Sequence, residues 1–160
     1  MIFGAATETT PENGKDFRAS RIFVLFKQKD GKLSQVVRSK SFFGVEDASV
    51  EGIEAQSARR FTVQINGHSN CGGNVGIYRF AKVHQIWQFA GHDDTTCQCH
   101  DGDVAVCDSK TFRSANFLTG NFLKQEFLSD KKISEERKTF RFKRILLENF
   151  ENVYDKKYWE

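Results

Sequence analysis

The sequence predicts a mostly β fold of the α+β class: a single domain built on a curved antiparallel sheet or partly open barrel, with one short helix after a cysteine-rich segment. Three observations carry this expectation. A chain of 160 residues has material for one core rather than two. Its apolar content is dominated by 16 Phe against one Met and one Pro, and phenylalanine suits half-buried strands. Apolar residues also recur at alternate positions in segments separated by Gly, Asn and Asp, the period of a strand with one buried face.

Taken in order, residues 1–17 read as a flexible polar leader, because Thr7 to Lys15 is small, polar and breaker-rich. Residues 18–146 form the predicted β domain and 147–160 a C-terminal arm or short helix. Arg21 to Lys27 is apolar on both faces, and Asp30-Gly31 is a hairpin signal that returns Lys32 to Phe43 as its partner. Gly44 to Arg60 is acidic and weakly periodic, which predicts a connection carrying at most a short helix.

Phe61, Val63 and Ile65 then alternate with Thr62 and Gln64 as a strand. Val75 to Ala81 and Val83 to Ala90 continue in the same style. Asp108 or Ser109 is placed to cap a helix running to Leu118, with Gly120 as its stop. Asn121 to Leu128 and Lys138 to Ile145 are the last predicted strands, the second placing Phe140 and Phe142 opposite Arg141 and Lys143.

The net charge of +3 falls well short of the concentrated positive charge that non-specific nucleic-acid binding needs. Arg137, Lys138, Arg141, Lys143 and Arg144 interleave with Phe140 and Phe142, as in single-strand nucleic-acid grooves. If the phenylalanines point inward, however, the basic residues simply solvate the outer face, and no nucleic-acid partner is expected. No run approaches the roughly 20 apolar residues of a membrane-spanning helix. The His92-Asp93-Asp94 cluster, with Asp101 and Asp103, lacks the twelve-residue calcium loop and its terminal Glu, and reads as a solvated turn.

The most distinctive segment runs from Asn66 to Tyr78 and contains Gly67, Cys71, Gly72, Gly73 and Gly76. Thr95-Thr96-Cys97-Gln98-Cys99-His100 follows it. Glycine clusters between strands suggest a tight structural loop. Four cysteines, Cys71, Cys97, Cys99 and Cys107, lie close in sequence; an even count in an exported domain favours disulfides, with three possible connectivities. A zinc site drawing on the same cysteines, with His100, His92 or His68, is the alternative; the Cys97-x-Cys99 spacing is tighter than zinc knuckles use. Cys99 beside His100 does not suit a nucleophile and base, because adjacent strand residues face opposite sides.

This pattern resembles the META domain of heat-inducible bacterial outer-membrane lipoproteins and some trypanosomatid proteins. Gly67, Cys71, Gly76 and Tyr78 match its Gly, Cys-Asn loop, Gly and Tyr, with Gly72 where the family has Asn; Thr95 through Cys99 matches its later Thr and Cys element. The resemblance implies pairing of Cys71 with Cys99, leaving Cys97 and Cys107 to join. It further implies a small β-rich fold, a periplasmic or outer-membrane-anchored location, and no catalytic residues or cofactor. Membrane tethering would then use a segment absent from this chain.

The expected function is therefore a non-enzymatic structural or interaction module of the cell envelope, whose partner is a protein or a small apolar ligand. Trp87 and Phe89 are the candidate lining of an apolar-ligand carrier, the second expectation. An intracellular zinc-binding module using Cys71, Cys97, Cys99, Cys107 and His100 is the third.

Overall fold

The computed structural model describes residues 2–9, 20–39, 42–43, 48–68, 73–98 and 107–150. Two antiparallel sheets account for most of them. The smaller contains β1 (Ile2–Thr9), β2 (Ser20–Lys29), β3 (Lys32–Arg38) and the two-residue β4 (Phe42–Phe43), with β2 central. The larger is a seven-stranded meander in chain order: β5 (Ala48–Ser57), β6 (Arg60–His68), β7 (Gly73–Val83), β8 (Ile86–Gln98), β9 (Ser109–Asn116), β10 (Asn121–Leu128) and β11 (Lys131–Thr139). It does not close into a barrel, since β5 and β11 are its two edges.

Local chemistry sets several joints. Asp30 and Gly31 adopt φ of 51° and 75°, the two positive values that a type I′ hairpin turn requires, and so connect β2 to β3 as the Asp-Gly signal predicts. His84 with Gln85, and Ser129 with Asp130, take the same conformation without glycine. Asn116 shapes the β9–β10 turn, its Oδ1 accepting hydrogen bonds from the amides of Leu118 and Thr119.

Cross-strand pairing lines up the core. Phe61 faces Phe80, Phe80 faces Phe89, and Val63 faces Tyr78. Their rings interlock: Phe61 stacks on Phe80 at 4.8 Å between centroids, and Phe89 meets Phe117 at 4.9 Å and Phe150 at 5.2 Å. The chain after β11 crosses this face and seals it. The Phe89 amide donates to the Ile145 carbonyl, Arg144 Nε donates to Gln88 Oε1 at 2.7 Å, and Leu147 and Phe150 are buried beside a 3-10 turn at Leu147–Asn149.

Several expectations are corrected. Ile2–Thr9 is a strand paired along its whole length with β2 rather than part of a leader, and residues 10–19 lie outside the described residues. Ala48–Ser57 is a strand, bulged twice against β6, where a connection was expected. The helix expected from Ser109 to Leu118 is β9: its apolar residues find partners on β8 and β10, so long-range pairing overrides a local spacing that resembles a helix. The last strand is Lys131–Thr139, whereas Phe140 to Ile145 forms no strand and packs as part of the closing strap. Among the described residues the 3-10 turn is the only helical element.

Candidate functional site

The two faces of the large sheet differ in character. On the core face, a bulge at Ala90 sets Phe80 opposite Phe89 and Arg79 opposite Gly91, so His92 and Asp94 turn inward in place of Gly91 and Asp93. His92 is 2% exposed and lies against the Tyr78 ring at 4.5 Å. Burial first, then the charges of Arg79 and Arg113, lower its pKa to about 4. Asp94 is also buried; burial pushes its carboxyl up against the pull of Arg113, whose Nη1 lies 3.2 Å from Asp94 Oδ2. His92-Asp93-Asp94, read as a solvated turn, is thus a strand segment with His92 and Asp94 in the interior, while Asp101 and Asp103 lie outside the described residues.

On the outer face, the Arg79 guanidinium crosses Gly91 to reach the Ala115 carbonyl and Asp93 Oδ1, each at 3.0 Å. A Cβ at position 91 would sit 2.6 Å from both the Ala115 carbonyl oxygen and Arg79 Nη2, so glycine permits the crossing. Beyond this clip, β9, β10 and β11 form an open groove of about 630 Å³. Ser114, Asn116, Asn121, Phe122, Leu123, Arg137, Lys138 and Thr139 line it. Six of the eight fall on one face by register: Asn116 pairs with Asn121 and Asn121 with Thr139, while Ser114 pairs with Leu123 and Leu123 with Arg137; Phe122 and Lys138 pair with each other at the intervening positions.

The groove's charged wall is held by Glu135. Its carboxylate accepts hydrogen bonds from Lys132 Nζ at 2.7 Å, Gln125 Nε2 at 2.8 Å and Arg137 Nε at 2.8 Å. Those bonds hold its pKa at about 2. With Nε engaged, Arg137 presents the edge formed by its two terminal nitrogens, the geometry that matches a carboxylate in two parallel hydrogen bonds. Asn116, its oxygen committed to the turn, offers its amide nitrogen as a donor.

The residues singled out from sequence fall elsewhere. Cys97 at the end of β8 and Cys107 ahead of β9 form a disulfide with Cα atoms 5.6 Å apart, while Cys71, Cys99, His100 and Gly72 lie outside the described residues. The alternative zinc set loses Cys97 and Cys107, since sulfurs bonded to each other are not thiolate ligands. Among the described residues no cluster of three or more His, Cys, Asp or Glu is placed to hold a metal.

Gly67, Gly73 and Gly76 lie on strands, not in a loop of positive φ, and Tyr78 is a core residue. Trp87 and Phe89 are buried against Phe61, Phe80, Phe117 and Phe150, so they fill the core and do not line the groove. Of the basic stretch, Arg137 and Lys138 both line the groove, Lys138 also lying over the Phe122 ring, and Arg144 bonds Gln88, while Phe140 packs against Phe117. Comparison with known protein families, curated proteins and solved structures finds no match to this chain.

Proposed function

We propose that this protein is a non-enzymatic β-sheet binding module of the cell-envelope type, and that it engages its partner through the outer face of β9, β10 and β11. The observation that carries this reading is the open groove of mixed polar and apolar lining in which Ser114, Asn121, Leu123 and Arg137 converge. Binding sites are concave surfaces with a few converging polar groups, and its volume lies within the range of roughly 300–1,000 Å³ usual for such sites. The ionisable groups inside the sheet are arranged differently. His92 is closed to solvent and Asp94 is held by Arg113, whereas a general acid or base must come within hydrogen-bond reach of a substrate.

The Cys97–Cys107 bridge supports an oxidising compartment, consistent with the envelope location that the META resemblance implies. In this reading Cys71 and Cys99 form a second bridge, and a tether outside this chain links the module to the membrane. An apolar-ligand carrier is less well supported, because the phenylalanine core is packed ring against ring.

Titration of the labelled protein with a panel of neutral and acidic oligosaccharides, short peptides and a fatty acid, followed by amide NMR shifts, tests the proposal. The expected perturbations concentrate at Ser114, Asn121, Leu123 and Thr139. Perturbation centred on Trp87 and Phe89 by the fatty acid would overturn the outer-face reading in favour of a carrier.

A further inference from the structure

From the groove's chemistry we infer that its ligand is an acidic saccharide, a hydroxyl-rich chain carrying carboxylates; this deepens, and rests on, the outer-face reading above. Apart from Phe122 and Lys138, which pair at the alternate register positions with the Lys138 ammonium over the Phe122 ring, the polar lining groups divide into two kinds. Ser114, Asn116, Asn121 and Thr139 are neutral hydrogen-bonding side chains at neighbouring register positions of adjacent strands. Hydroxyls and amides act as both donors and acceptors, which is what the hydroxyls of a sugar require of a surface.

Arg137 is the second kind. Its Nε donates to Glu135, and the remaining edge of the guanidinium carries two parallel N–H groups suited to a carboxylate. Lys132 shares the same Glu135 carboxylate, so two cations and one anion leave this wall with one net positive charge. Asp93, which lies opposite Ser114 in register, is already held by Arg79. Charge complementarity therefore favours an anion, and neutral polar neighbours favour one attached to a polyol. Leu123, directly opposite Arg137, adds an apolar surface for the C–H face of a ring.

Much of the geometry is set before any ligand arrives. Asn116 is fixed by the β9–β10 turn, and Arg137 by an acceptor that stays ionised at ordinary pH. Restricting side chains in their bound orientation reduces the entropy lost on association.

Calorimetric titration of the whole chain with trigalacturonate and with galactotriose, each mapped by amide shifts, tests the inference. The acidic trimer is expected to bind at least about tenfold more tightly than the neutral one, and Arg137→Ala to erase that preference, as loss of a charge-assisted hydrogen bond would. Arg137→Lys, which keeps the charge without the fork, should fall between. The Arg137 side chain is 71% exposed on an edge strand, so these variants should fold, and unchanged unfolding midpoints would confirm it. Equal affinity for both trimers, or no loss in Arg137→Ala, would overturn the acidic-saccharide assignment; groove amides that still shifted would leave the outer-face reading intact. If neither trimer moved the Ser114, Asn121 or Thr139 amides at saturating concentration, the saccharide assignment would fall, and the outer-face reading would fall with it should the wider panel also leave them unmoved.

Discussion

At Ala90, β8 carries one residue more than β7 opposite it, and the side chains beyond change faces. His92 consequently enters the core, where its imidazole stays neutral down to about pH 4. The unfolded chain takes up that proton near pH 6.5, so between these values the unfolded state binds more protons and stability falls as pH falls. The full window corresponds to about 3 kcal/mol. Asp94 acts in the opposite sense: its raised pKa makes the folded state the better proton acceptor above pH 3.8, which offsets part of the loss at the acid end. Urea unfolding of wild type and His92→Phe from pH 7 to pH 4 checks the prediction. The variant should lose most of the pH dependence in that window, and parallel profiles would contradict it. Alternation alone places His92 outward, and no single residue announces a bulge, so this position was not legible from sequence.

Hairpins show where local signals succeed and where pairing replaces them. Asp30-Gly31 was legible because its residues tolerate the positive φ of the turn they make. His84 and Gln85 adopt the same turn without that tolerance, at φ of 47° and 66°; the β7 and β8 strands they join are long enough to enforce it. Gln85→Gly should relieve the strain and stabilise the protein by about 1 kcal/mol in denaturant unfolding, and a destabilised variant would contradict this account.

β11 was missed for a different reason. As an exposed edge it mixes Lys, Glu and Arg on both faces, which guards against strand addition but leaves no apolar period to read. The Cys97–Cys107 bridge closes the connection between β8 and β9, with a sequence separation of 10. Replacing both residues by Ser should lower stability by about 3 kcal/mol, measured as a shift in the unfolding midpoint; an unchanged midpoint would mean the bridge does not constrain the unfolded chain.

For the molecule as a whole, the phenylalanine count foretold a sheet with an aromatic core, and the structure places Phe61, Phe80, Phe89, Phe117 and Phe150 together in it. An open sheet and a C-terminal arm were both among the expectations, whereas the particular contacts by which residues after β11 seal the core face join positions distant in sequence and were not legible. The candidate site was still less legible. Ser114, Asn121 and Thr139 are ordinary surface residues until register aligns them, and Arg137 drew notice only as one basic residue among several.

The central claim is that this aligned outer face is the binding surface, and Leu123→Glu addresses it directly. Leu123 lies opposite Arg137 in register, so a carboxylate there would occupy the arginine edge meant for the ligand. Trigalacturonate affinity of this variant should fall by about tenfold or more while its unfolding midpoint stays near that of wild type. Wild-type affinity in a folded Leu123→Glu protein would contradict the account.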